Sequence, residues 1–135
     1  MDKLTPDRRS ANMAKIRSRD TKPEMVVRRL VHGLGYRYSL HRRDLPGKPD
    51  LVFAPRKKII FVHGCYWHMH DCKQGAVVEA TRTEFWQAKR KGNVGRDQKN
   101  LTLLSELGWQ VLVVWACEIR DPRALADRLV AFLKS

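Results

Sequence analysis

Four soft or borderline metal donors fall within the eight residues from Cys65 to Cys72, in the run His63-Gly64-Cys65-Tyr66-Trp67-His68-Met69-His70-Asp71-Cys72. A third cysteine, Cys117, ends an apolar run further along. Thiolates and imidazoles ligate zinc. A sulfur-rich shell with every position filled is structural, because catalytic zinc keeps one position open. Three cysteines leave one place for a histidine, and chemistry alone does not choose between His68 and His70. The other reading is three buried free thiols, and the clustering with histidine favours a metal. The N-terminal MDKLTPDRRS has no apolar stretch of the kind that opens a secretory leader. The expectation is a cytoplasmic chain whose thiols are not paired as disulfides.

A second constellation is Pro49-Asp50 at the head of an apolar segment, a turn, and Val62-His63 at the end of the next one. A carboxylate fixed at a sheet edge suits Mg²⁺, which takes one or two carboxylates together with phosphate oxygens and water. Such an ion polarises a phosphodiester and activates water. A neighbouring histidine has the right basicity to accept the proton.

The third is aromatic and basic. Tyr66 and Trp67 lie inside the Cys/His run, where no core periodicity claims them, and Phe85-Trp86 precedes Lys89, Arg90 and Lys91. Aromatics among cations stack on bases or wedge between them. Phe85 reads instead as a core residue. The whole chain carries 27 Lys+Arg against 14 Asp+Glu, a net charge of +13. That excess lies entirely within residues 1–99; residues 100–135 balance. A one-sided cationic surface fits a polyphosphate backbone, so DNA is the expected partner. No apolar run reaches membrane-spanning length.

The elements that must position these groups follow from periodicity. Residues 1–20, with Lys3, Arg8, Arg9, Lys15, Arg17 and Arg19, read as a basic arm, and residues 21–135 as a single domain of ordinary hydrophobic content. Thr21 and Glu24 make a capping box for a helix carrying Val27, Leu30, Val31 and Leu34, ended by Gly33 and Gly35. Tyr36 to Leu40 predicts a short strand, Leu51-Val52-Phe53 a second and Ile59 to Val62 a third. Thr81 and Glu84 predict another capping box, with a helix to about Leu107 that Gly92 and Asn93 interrupt. Trp109 to Ala116 reads as a central strand, and a last helix starts at Pro122. The order α-β-β-β-α-β-α indicates an α/β fold, a mixed sheet flanked by helices.

The run HGCYWHMHDC, with PGKPD upstream and ATRTEFW, GNVGRD, ELGW and VLVVWAC downstream, resembles the very short patch repair (Vsr) DNA mismatch endonucleases. The likeness spans about Arg9 to Cys117 in the right order. It implies a restriction-endonuclease-like fold, a variant of the PD-(D/E)xK nucleases. It also implies an enzyme that nicks 5′ to the thymine of a T·G mismatch left by deamination of 5-methylcytosine.

Residue by residue, the resemblance implies that Asp50 is the magnesium carboxylate, joined by the backbone carbonyl of Val62 where a threonine is familiar. His68 becomes the general base, His63 the residue that organises water and metal, and Glu24 the acid that orients a catalytic histidine. Cys65, His70, Cys72 and Cys117 match structural zinc ligands. Tyr66, Trp67 and Trp86 match the aromatics that enter DNA, with Lys89 and Arg96 beside them; Tyr66 stands where phenylalanine is common. Met69 and Asp71 replace histidines in a His-rich run. The implied cofactors are Mg²⁺ for catalysis and Zn²⁺ for structure. The implied partners are mismatched duplex DNA, a cytosine-5 DNA methyltransferase and mismatch-repair proteins, with the enzyme itself a monomer. The competing reading is a zinc-containing DNA-binding module without catalysis.

Overall fold

The structure, a computed structural model, describes residues 21–135, so the expected basic arm lies outside the described residues. Helix α1 runs Lys22–Gly33. The Thr21 side chain accepts from the Glu24 backbone N–H, as expected of an N-cap. The Glu24 carboxylate meets His41, at 2.8 Å, and is 1% exposed. Leu34 caps the C-terminus, and Gly35 follows at φ +93°, where a side chain would be strained.

Four strands follow in the order β1 (Ser39–Leu40), β2 (Leu51–Phe53), β3 (Lys58–His63) and β4 (Gln110–Trp115), which is also their order across the sheet. The first two pairings are antiparallel and β3–β4 is parallel, so the sheet is mixed. Helix α2, Thr83–Glu106, makes the crossover that a parallel pair requires. Helix α3, Pro122–Lys134, closes the chain, with Asp121 accepting from Ala124 N–H at its start. Among the described residues no helix is long and apolar enough to cross a membrane.

Strand alternation builds two cores. Leu51, Phe53, Ile60 and Val114 pack with Val27 and Val31 of α1 and Leu125, Leu129 and Leu133 of α3. Val52, Ile59 and Phe61 pack on the other face with Leu104 of α2. Each such side chain contributes about 1.5–3 kcal/mol when fully buried. The same period of two carries His63 and Trp115 onto the α2 face, beyond Phe61 and Val113.

Several expectations are corrected. The strand expected over 36–40 shrinks to two residues because Tyr36 N–H is spent on Val31 O, at 3.2 Å, closing the helix end. Strand β4 is at the edge of the sheet rather than its centre; its run of apolar residues reflects helices on both faces, not strands on both sides. Helix α2 begins after Arg82, at φ +52°, with no side-chain cap, so Thr81 and Glu84 form no capping box. Gly92 and Asn93 do not interrupt it. The Asn93 side chain donates to Trp67 O outside the helix and so does not compete for its backbone. Phe85 is 47% exposed and is not a core residue.

Candidate functional site

The end of β3 brings together three side chains from three stretches of sequence. His63 is the last residue of the strand and is buried. His68 returns through the turn that follows and stacks on it, with centroids 3.9 Å apart and planes within 6°. Asp97, on α2, meets His68 Nδ1 at 2.5 Å. An ionised carboxylate only accepts hydrogen bonds, so Nδ1 donates to Asp97 and Nε2 is left facing away from it. Burial, then the neighbouring His68, pushes His63 down to about 4 against the opposing pull of Asp97, leaving its ring neutral at neutral pH. His63, His68, Asp97, Gln98 and Trp115 border a cleft of about 240 Å³.

Asp50, just before β2, belongs to a second group of donors with Glu24 and His41, and it joins the end of β3 through Val62. Its Oδ2 accepts from Val62 N–H at 2.7 Å. Along an extended strand the N–H and C=O of one residue face the same neighbour, so the Val62 carbonyl is directed towards the Asp50 side as well. Burial, opposed by the Val62 N–H and reinforced by Glu24, pushes the Asp50 carboxyl up to about 7. Two carboxylates and His41 place one donor atom each within 4.8 Å of one another. Two buried carboxylates and an imidazole that close together are a donor set that a divalent cation can take. The histidine that Glu24 meets is His41, at 2.8 Å, rather than His63 or His68.

The sulfur-rich group assembles from the loop and the end of β4. Cys65, His70, Cys72 and Cys117 each offer a ligand atom within 4.8 Å of the other three. Cys117 Sγ lies 3.6 Å from His70 Nδ1, and Cys117 N–H donates to Cys65 Sγ. Ligands about 2.0–2.3 Å from a tetrahedral zinc stand about 3.6–3.8 Å apart, so the donor set and its spacing fit that ion. Of the two histidines that chemistry left open, His70 is in this group and His68 is not. Burial pushes the Cys65 thiol up to about 12, whereas backbone N–H groups, Gly75 first, hold Cys72 at about 7. The His70 ring stacks on Trp115 at 4.1 Å, tying the group to the sheet.

The aromatics gather on the far side of the loop. Tyr66, Trp67, Trp86 and Phe85 make a chain of edge-to-face contacts 4.9–5.9 Å between centroids. Lys89 Nζ lies 5.7 Å from the Trp86 ring, and Arg96 is exposed, donating to Asn93.

Residues 1–74 match the family described as DNA mismatch endonuclease Vsr. The chain is 48% identical over 128 residues to the type II nicking enzyme V.XorIIP of Xanthomonas oryzae pv. oryzae, covering 95% of this chain and 93% of that one. It is 40% identical to the type II nicking enzyme V.NmeAIP of Neisseria meningitidis, covering 95% and 91%. It is 44% identical to the DNA mismatch endonuclease Vsr of Escherichia coli K12, covering 93% and 78%. The chain belongs to the Vsr family. Membership supports a DNA endonuclease role, and the Vsr-like stretch that matches the family reaches through the sulfur-rich loop as far as Gln74.

Within this Vsr chain, sequence reasoning passes over Asp97, His41 and Glu79, and it reads Arg90 as a cation beside the aromatics rather than as the buried partner of the loop carbonyls. Asp97 had a readable signal. Positions 90, 94, 97, 101 and 104 follow the helical period, and the polar members of that buried stripe are the ones with partners. His41 had none, because its meaning comes from Glu24, seventeen residues away.

Proposed function

We propose that this chain is a Mg²⁺-dependent endonuclease that nicks duplex DNA 5′ to the thymine of a T·G mismatch, the first step of very short patch repair. The observation that carries the reading is His68, held between the Asp97 carboxylate and the His63 ring at the end of the strand whose Val62 N–H meets Asp50. Binding alone needs no such arrangement, which weighs against a DNA-binding module without catalysis.

Asp50 and the Val62 carbonyl would hold Mg²⁺, and the valine side chain in place of threonine leaves that carbonyl unchanged. When bound, the ion supplies a polarised phosphate and a more acidic water. His68 Nε2 takes the proton of the attacking water as oxygen bonds to phosphorus and the bond to the leaving sugar oxygen breaks. Asp97 keeps the ring in the tautomer this requires, and Glu24 with His41 holds the far side of Asp50. Zn²⁺ on Cys65, His70, Cys72 and Cys117 is structural, since four protein donors close the shell.

Trp67 and Trp86, with Tyr66 beside them, are the wedge that senses the mismatch, and Lys89 and Arg96 meet phosphate. The 1–20 arm adds cationic contacts, and residues 21–135 act as one restriction-endonuclease-like domain. We place the enzyme in the cytoplasm as a monomer, beside a cytosine-5 methyltransferase and mismatch-repair proteins. An end-labelled T·G duplex with Mg²⁺ tests the reading. Nicking of the thymine strand is expected, and equal cleavage of the matched duplex, or none of either, overturns it.

A further inference from the structure

Helix α2 addresses three successive residues of the loop with one face. Arg90 Nε donates to Tyr66 O at 2.7 Å, Asn93 Nδ2 donates to Trp67 O at 3.0 Å, and Asp97 holds His68 Nδ1. These positions fall about one turn apart, so a single rigid element sets the register of residues 66, 67 and 68.

Arg90 does more than hold one carbonyl. It is 0% exposed, and its other nitrogens reach Gly75 O and Val77 O at 2.5 and 2.8 Å, across the far end of the same segment. Its guanidinium lies 4.2 Å from the Tyr66 ring centroid and 3.5 Å from Glu79 Oε1. The Tyr66 hydroxyl donates to that same Glu79 oxygen. The segment from Tyr66 to Glu79 contains no helix or strand, so these bonds replace the backbone ladder that would otherwise fix it. Only a planar fork with donors on three nitrogens can serve carbonyls on both sides at once.

We propose that Arg90 and Glu79 are positioning residues for mismatch recognition: they clamp residues 66–79 onto α2 before DNA arrives, presenting Trp67 already set, with Tyr66 as a strut of the clamp instead of a free wedge. This rests on the reading of Trp67 as a mismatch-sensing residue. A pre-set loop has little ordering left to do on binding, so the clamp acts on affinity for mismatched DNA more than on the chemical step. His68 keeps Asp97 and the His63 ring even when the clamp is loosened.

The full chain with its zinc is compared with Arg90→Lys and Tyr66→Phe by zinc content, amide hydrogen exchange without DNA, and KM and kcat on a labelled T·G duplex. Arg90→Lys is expected to keep its zinc and exchange faster across 66–79. Its KM should rise about tenfold while kcat stays within about twofold. Tyr66→Phe keeps the ring and loses only the hydroxyl bond, so KM should rise about threefold. A wedging Tyr66 would tolerate phenylalanine with no change in KM, and that result overturns the strut. Unchanged exchange in both variants overturns the clamp, as does loss of zinc with KM and kcat failing together. If Arg90→Lys does not fold, Tyr66→Phe decides alone. A wild-type chain that ignores the T·G mismatch overturns the functional reading, and the exchange data then show separately whether the clamp exists.

Discussion

On one side of His63 the chain is held by apolar packing, and on the other by polar and sulfur donors. Up to His63, β2 and β3 lie between two layers of Val, Leu, Ile and Phe, and their positions follow from alternation and burial. From Gly64 to Arg82 there is no helix or strand. Cys65, His70, Cys72 and Cys117 converge there, and Arg90 and Asn93 hold the loop carbonyls. The two solutions suit two tasks. Apolar packing is non-directional and places Asp50 and His63 as part of a whole layer. Donor bonds are directional and can aim individual side chains, here Trp67 and His68, from a segment that has no ladder of its own.

The sharpest way to break this comparison is to remove a sulfur. Cys117→Ser should lose zinc and abolish nicking. A structural zinc site can contribute on the order of 10 kcal/mol to folding, so the loop should lose its exchange protection outright. Metal analysis with hydrogen exchange checks this, and a fully active, zinc-loaded Cys117→Ser protein would contradict it.

Next in size, His68→Ala should slow nicking about a hundred- to ten-thousandfold, with metal content and stability close to wild type. Single-turnover rates on bound substrate measure the loss, and a stable variant that still nicks at the wild-type rate removes His68 from the chemistry. Asp97→Asn should cost less, about a hundredfold, because the base survives without its orienting carboxylate.

On the packed side, Leu129→Ala should destabilise the protein by about 2–5 kcal/mol in denaturant melts. The comparison is sharpened if the folded fraction keeps its zinc and its kcat. The smallest effect belongs to Trp67→Ala. It should weaken binding to the T·G duplex by about 1–3 kcal/mol in fluorescence titrations while zinc is retained, and blur the preference over matched DNA. Equal affinity for both duplexes in the wild type would leave Trp67 without this role.

The packed side was largely legible in the sequence. Among the described residues the seven predicted helices and strands follow in the predicted order, because apolar periods of 3.6 and 2 record which face is buried. What periodicity does not record is how many strands flank a strand, and β4 reads as central because helices cover both its faces. The start of α2 was misplaced because Arg82 enters the helix from a left-handed conformation that no side-chain motif announces. In the site, Asp50, His63 and the Cys/His run stood out by type and spacing. The choice of His70 over His68 rested on the family resemblance alone. Asp97 and Arg90 act through partners 29 and 24 residues away, a distance only folding closes.

The parallel pairing of β3 with β4 also governs when the sulfur site can come into being. His63 pairs with Trp115, which brings Cys65 and Cys117 together across 52 residues of chain. Closing so long a loop is costly and slow until the crossover helix and the β3–β4 ladder are in place. The fourth donor therefore arrives last, and the complete tetrad is a record that the sheet has been assembled. A nascent chain released before β4 has docked holds only the local trio of Cys65, His70 and Cys72. Completion of the donor tetrad thus depends on prior assembly of the sheet.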